Sequence, residues 1–539
     1  MEFSSWLPKA AKRLFFLLTL FLLLSCLLTT RYRDPGRKLP RSVVPEEKVN
    51  ASWEEYFETL EAARPWADPL PSDQGTPSTF GTRPPYTNLN RPDLLRLPRQ
   101  TKDGLRRAHS KFISRLATLS THLSFQPGTT GIVTSIRPDD LGQVVTMLLM
   151  LRQSGSTLPA QVILEEEPSP SIDQFCSTAL GPLGATCISP QEQDGWLEAT
   201  HHLPPFQPSQ WKSLAIITST FQNVLFLDPD TLPVRNPDPI FATNVQPFHS
   251  TGFIVWADIW TPTGSPDFFA VTADTEPPVF TTRASSESGV LVIDKARHAD
   301  TLLLAAYYNH YGPEYYYPLL TQHDLEDPGR ESYLAAALVL DALAHNGTYT
   351  APDGSNGTTT PVKVKKGRWN IKTPPRIYQR ADRGGVPGVV VMAQMDPLED
   401  YHAVLVAIEE YEWLQDHLQE LTPRSGALHD LANDLKFLDS LGNPTVSPRK
   451  GKYMFFHHYG ERLDFSRITD DMLPTDANDL YMRMWGEPNW VEASVGRDVE
   501  KMLWRDATGF WCGLEGYAKQ CRLLKKVYQS VYVPNRYHR

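Results

Sequence analysis

The sequence predicts an α/β body built on a mostly parallel central sheet, and three stretches carry that prediction. Thr129–Ile136 is a β-branched strand, Asp139 caps an apolar helix running through Leu151 to a stop at Gly155, and Gln161-Val162-Ile163-Leu164 is the next strand. Strand, helix, strand in that order makes a parallel pair with a right-handed crossover. Val224-Leu225-Phe226-Leu227 is a short, unbroken apolar run, the pattern of a strand covered on both faces. Val290-Leu291-Val292-Ile293 repeats that pattern.

The helix before Val224 is read over Trp211–Phe221, with Leu214, Ile217 and Phe221 at helical spacing and Ser209 as N-cap. After Leu227 come Asp228, Pro229 and Asp230, at the carboxyl end of a buried strand, where open α/β sheets place their ligands. Whether Pro229 turns the chain or leaves it extended, both carboxylates can approach one hard cation. Mn²⁺ or Mg²⁺ prefers such oxygen ligands and leaves positions for phosphate. A polar turn without a ligand is the alternative. Glu165-Glu166-Glu167 closes the second strand either as a solvated end or, through one of the acids, as a contact to a ribose hydroxyl.

At 539 residues the chain has room for one large domain with appendages, and its net charge of −10 excludes a nucleic-acid partner, whose phosphates demand a basic face. The five cysteines include two local pairs, Cys176 with Cys187 and Cys512 with Cys521, that suit small disulfide loops in an oxidising compartment; buried free thiols are the other reading.

The order along the chain is that of an anchored protein. Residues 1–13 form a short tail, and Leu14–Thr30 is an uncharged apolar run of roughly 25 Å as a helix, a signal anchor without a small-residue cleavage site. Residues 31–103 hold eleven prolines and read as an extended stem, with a short helix at Trp53–Ala63. The body occupies 104–539. Sequons at Asn50, Asn346 and Asn356 all follow the anchor and favour a lumenal body, although the basic residues on both sides of the anchor leave its orientation ambiguous.

GIVTSI from Gly131, LRQSGSTLPAQVIL from Leu151, the stretch Trp211–Phe241, TGFIVWADIW from Thr251, ESGVLVIDKARHADTLLLAAYYN from Glu287, VMAQMDPLEDY from Val391 and MFFHHYGERLDF from Met454 resemble, in order, the blocks of the fungal Golgi α-mannosyltransferase family, glycosyltransferase family 71. The resemblance implies a GT-A type nucleotide-diphospho-sugar transferase fold, type II membrane topology in the Golgi, GDP-mannose as donor and a glycan or mannan mannose as acceptor, with transfer retaining the α configuration.

It also implies roles. Asp228 and Asp230 would bind the metal and the diphosphate, His457 would complete the metal shell, and Lys212 would pair with a phosphate. Gly131, Ile132 and Val133 would line the nucleotide, unless Gly131 serves only the strand. Glu287 and Ser288 would face the donor sugar, and Gln394 with Asp396 would contact sugar or phosphate, unless they only form a strand exit. His458 points to the opposite face from His457. Where the family reads Gly-Asp-Lys-Glu, this chain has Pro328-Gly329-Arg330-Glu331. Glu331 is retained and, with Glu287 and Ser288, would be catalytic, but Gly329 replaces the acid, which implies a shifted acceptor or lost activity. Two alternatives therefore stand beside a mannosyltransferase: a transferase using a UDP-sugar, and a catalytically silent lumenal scaffold. On oligomeric state and membership of a Golgi glycosyltransferase complex the sequence is silent.

Overall fold

The computed structural model describes residues 46–70, 95–192, 196–201, 203–258, 263–274, 285–322, 329–350, 371–373, 375–379, 390–399, 453–459, 463–485, 492 and 495–533. The expected anchor, Cys26 and the Asn356 sequon lie outside them. Among the described residues no helix is long and apolar enough to cross a membrane.

The central sheet has seven strands in the order β3-β2-β1-β4-β7-β6-β8. These are β1 (Gln126–Ile136), β2 (Ala160–Leu164), β3 (Ala185–Ile188), β4 (Phe221–Leu227), β6 (Phe253–Ala257), β7 (Ser286–Asp294) and β8 (Ile371–Thr373). β1 pairs in parallel with β2 and β4, β2 with β3, and β6 with β8, while β7 runs against both of its neighbours. The mostly parallel sheet is as expected. Val224, Leu225, Phe226 and Leu227 are fully buried at its centre, each worth about 1.5–3 kcal/mol of burial for side chains of that size.

A smaller antiparallel sheet, β5 (Thr231–Pro233), β11 (Tyr453–Tyr459), β10 (Val390–Met395) and β9 (Pro375–Gln379), packs its Met454, Phe455 and Phe456 into one of two cores. That core also holds helix α3 (Leu141–Gln153), almost entirely buried. The other core is made by α2 (Arg99–His122), α4 (Pro208–Thr218), α5 (Lys295–His310) and α6 (Ser332–His345). Further along the chain, α7 (Val499–Gly513) packs on α3, and α8 (Ala518–Val527) packs on α7 and is bonded to it through Cys512–Cys521. Cys176–Cys187 closes the loop into β3, so both expected pairs are disulfides.

Local details differ from the sequence reading where tertiary contacts intervene. The helix before β4 is capped by a reciprocal Gln207–Gln210 box, while Ser209 bonds the Tyr317 hydroxyl at 2.8 Å. Phe221 opens β4 instead of ending the helix. Asp139 lies in a 3₁₀ turn and makes no side-chain cap, and Asp140 bonds Arg467 at 2.9 Å. Gly155 ends α3 with φ +95°, as a left-handed helix stop requires.

The helix expected within the stem is longer, Glu46–Ala62 (α1), and packs into the body. Trp53, Tyr56, Phe57 and Leu60 are buried, and Trp53 meets Trp196 edge-on with centroids 4.7 Å apart. Hydroxyls of Tyr307, Tyr311 and Tyr315, four residues apart, donate to the carbonyls of Ala63, Leu60 and Ala67. Residues 46–70, read as part of the stem, therefore contribute to the core.

Candidate active site

A cleft of about 490 Å³ opens at the carboxyl ends of β1, β2, β4 and β6. Its floor is the Asp228-Pro229-Asp230 turn. The Asp228 N–H donates to Gly289 O at 2.8 Å and the Thr231 N–H to Asp228 O at 2.9 Å, so the turn is tied to β7 and closed on itself. Immediately beyond it β5 pairs with β11, setting Thr231 opposite His457, and the His458 N–H donates to Asp230 O at 3.0 Å. Because β5 follows β4 of the central sheet through this turn, pairing within the smaller sheet delivers a histidine distant in sequence to the second aspartate.

His457 Nε2 is 3.6 Å from Asp230 Oδ1, and its Nδ1 is 3.1 Å from Glu287 Oε2. Burial alone would strip the imidazole of its proton, but the charges of Glu287 and Asp230 reverse this and hold its pKa well above the ordinary histidine value. Burial likewise opposes ionisation of Asp230 and Glu287, and His457 outweighs it, holding both carboxyls below their usual range. Lys212 on α4 reaches Asp228 Oδ2 at 2.7 Å and Ser288 Oγ at 2.8 Å, bridging β4 and β7. A break in the β6–β7 ladder lets Trp256 pair with Glu287 while Val255 pairs with Leu291, and this irregularity turns Glu287 and Ser288 into the cleft. Gly289 makes room for the convergence: a Cβ there would lie 2.8 Å from Glu287 Oε1, 2.9 Å from Thr231 Oγ1 and 3.2 Å from His457 Cε1.

Among the described residues no three or more His, Cys, Asp or Glu side chains form a ready metal cage. Asp228, expected as a ligand, instead faces the Lys212 ammonium. Asp230 and His457 nonetheless fit a divalent ion whose other ligands are phosphate oxygens. Asp230 Oδ1 is buried and accepts no hydrogen bond, and Glu287 on Nδ1 would fix the tautomer that offers Nε2.

Other expected residues fall outside the cleft. Gly131, Ile132 and Val133 are in the sheet interior. A Cβ on Gly131 would meet the Phe221 ring at 2.2 Å, so packing requires the glycine, and the same strand reaches the cleft later, at Ser135, Ile136 and Arg137. Gln394 is buried on β10 and donates to Ala257 O at 3.1 Å. Asp396 receives the Leu398 N–H at 3.0 Å, which makes it a turn residue. Glu331 accepts from the Ser286 N–H at 2.7 Å and the Ser286 hydroxyl at 3.2 Å, and so positions the start of β7 behind the cleft wall. His458 turns away and accepts from Trp485 Nε1.

The sequence reading did not assign Asp258 and Arg330, a buried pair 3.6 Å apart on the cleft wall. Asp258 follows the apolar strand Phe253–Ala257 just as Asp228 follows Val224–Leu227, a signal the sequence does contain.

Residues 129–281 and 279–366 match the family model described as "Mannosyltransferase putative". The chain is 34% identical over 227 residues to alpha-1,2-mannosyltransferase MNN24 of Candida albicans, and 31% identical over 315 residues to MNN5 of Saccharomyces cerevisiae. Over these stretches the chain is similar to fungal α-mannosyltransferases. The similarity rests on part of each protein: the matches cover 37% and 48% of this chain and 31% and 51% of those relatives. Among solved structures, the S. cerevisiae mannosyltransferase Ktr4p aligns with 10% identity over 57% of this chain and 79% of its own, with a TM-score of 0.24. The galactosyltransferase LgtC aligns with 13% identity over 43% and 84%, with a TM-score of 0.25. Likenesses so distant bear on neither the site nor the reaction of this chain.

Proposed function

We propose that this cleft transfers mannose from GDP-mannose to a mannose residue of a glycan or mannan, in α linkage with retention, in the Golgi lumen. The observation that carries the reading is the convergence of Asp230 from the β4–β5 turn, Glu287 from β7 and His457 from β11 beside the Lys212–Asp228 pair. Asp230 and His457 would hold a divalent ion, Mn²⁺ foremost. Such an ion, when bound, neutralises charge on a departing diphosphate.

The chain's own groups do the rest. Lys212 supplies a cation that can move from Asp228 to phosphate. Ser288, held by Lys212, and Glu287, held by His457, present polar atoms to the sugar on the next strand. Transfer with retention needs no water-activating base, and the acceptor's proton can leave on a phosphate oxygen. The partial match to a mannosyltransferase family model and the α-1,2-mannosyltransferase names of the similar proteins favour mannose over the UDP-sugar alternative.

Gly329 does not weaken this reading. It is not among the cleft-lining residues, which retain the carboxylates of Asp228, Asp230, Asp258 and Glu287.

The test is donor turnover by the purified protein with GDP-mannose and a panel of UDP-sugars, with and without Mn²⁺, beside Asp230→Asn. Metal-dependent GDP release that the variant lowers by at least about a hundredfold is expected. Turnover preferring a UDP-sugar, or none from folded protein, would overturn the reading.

A further inference from the structure

We propose that Glu165 and Arg137, at the β2–β1 end of the cleft, read a guanine base: the Glu165 carboxylate takes its N1–H and 2-amino group, and the Arg137 guanidinium its O6 and N7. The inference rests on the nucleotide-sugar reading above and assigns one end of the same cleft.

Sheet order sets the spatial order of the lining residues. Strands lie about 4.8 Å apart, so the β4 end, with Lys212 and Asp228, has the β7 end one spacing away on one side and the β1 end on the other. Glu165 follows β2, roughly two spacings or about 10 Å from the β4 end, a nucleoside's length. A hexose joined directly to a phosphate needs the nearer β7 groups.

The two ends also differ in character. On the β7–β6 side, Glu287 and Asp258 are buried and locked to His457 and Arg330, a fixed polar lining suited to a compact polyol. On the β1–β2 side, Arg137 is 58% exposed and leaves room for a flat base. Glu165 is half-buried there, its backbone fixed by an N–H bond to Ile136 O at 3.1 Å and by Gln191 Nε2 on its carbonyl at 3.2 Å. The neighbouring carboxylates are engaged by cations, Asp140 by Arg467 at 2.9 Å and Glu166 by Arg137 at 3.4 Å. A guanidinium has five N–H donors, so the Glu166 pair leaves Arg137 donors for a ligand.

Guanine is the base that offers two adjacent donors on one edge and two acceptors on the next, matching one carboxylate and one guanidinium. Uracil presents a single N–H between two carbonyls, which a carboxylate repels. Adenine sets an acceptor beside its amino group.

The experiment is calorimetric titration of the whole chain with GDP, inosine diphosphate and UDP, in Mn²⁺, for the wild type, Glu165→Gln and Arg137→Ala, with thermal melts to establish folding. The expected wild-type order is GDP, then inosine diphosphate, which lacks the 2-amino group, then UDP, with steps of about tenfold to a hundredfold. Glu165→Gln should bring the GDP to inosine diphosphate ratio close to one. Arg137→Ala should weaken both purine nucleotides alike. A wild type binding the two purine nucleotides equally, or a Glu165→Gln protein keeping the ratio, overturns the base assignment and leaves the donor reading intact. UDP binding tightest, or no nucleotide binding to folded protein, overturns both.

Discussion

Glu287 Oε2 lies 3.1 Å from Nδ1 of His457, on the side of the imidazole opposite Asp230. The carboxylate therefore sits behind the histidine that would face a metal ion, where it fixes ring orientation and tautomer. Glu287→Gln keeps the shape and removes the charge. Mn²⁺ titration of turnover, or of binding by calorimetry, should show affinity about tenfold to a hundredfold weaker. Unchanged Mn²⁺ affinity would separate Glu287 from the metal site.

Gly289 is the residue that lets this cluster close. A methyl group there meets Glu287 Oε1, Thr231 Oγ1 and the His457 ring at once. Gly289→Ala should cost about a hundredfold in kcat, the scale of a 1 Å misplacement of reacting groups, with near-UV circular dichroism largely kept. Full activity would show that the cluster has slack.

At Gly329, where the family resemblance of the sequence implies an acid, a Cβ would sit 2.9 Å from Ser209 Cβ and 3.1 Å from Asn309 Oδ1. Restoring the family residue with Gly329→Asp should therefore destabilise the protein by about 1–3 kcal/mol, an overpacking cost, and leave turnover no higher. A rise in turnover at unchanged melting temperature would restore the view that the glycine is a functional loss.

Lys295 is fully buried, and its ammonium donates to the carbonyls of Ile216 at 3.1 Å, Ile217 at 3.3 Å and Ser219 at the end of α4, and to Ser124 at 3.3 Å. Burial pushes its pKa down to about 7 from 10.5. The unfolded chain thus holds one more proton than the folded chain between those values, and stability rises with pH across that window. Relative to Lys295→Met, the wild type should gain about 1.4 kcal/mol per pH unit above pH 7 in denaturant unfolding. Parallel pH curves for the two proteins would mean that the lysine stays charged. At pH 7 the methionine variant should already be less stable by about 1–3 kcal/mol, because buried carbonyls lose their donor.

Asn346 is exposed at the C-terminal end of α6, with Thr348 also exposed. Protein made in a secretory host should shift on endoglycosidase treatment, and Asn346→Gln should reduce that shift. A variant that shifts as the wild type does would remove Asn346 from the lumenal reading.

Much of this molecule was determined by its sequence alone, wherever the signal is local. Val224–Leu227 reads as a buried strand because every side chain in it must leave water, and Asp228 and Asp230 stand out because they follow at once. The two disulfides were legible because the cysteines of each pair are close along the chain. Residue blocks running from Gly131 to Phe465 carried the family resemblance. Only the tertiary structure decided what depends on distant partners. Pairing of β11 with β5, inside the smaller sheet, brings His457 to Asp230, and a ladder irregularity turns Glu287 toward the histidine. The Phe221 ring, not a ligand, accounts for Gly131, and Gln394 is held behind the cleft by the Ala257 carbonyl. Helix α1 joins the core because tyrosines on α5 and beyond bond the carbonyls of Leu60, Ala63 and Ala67, at its end and just after it. A periodic pattern reports that a face is buried, but not which distant residue buries it, and the chemistry of the cleft lies in those pairings.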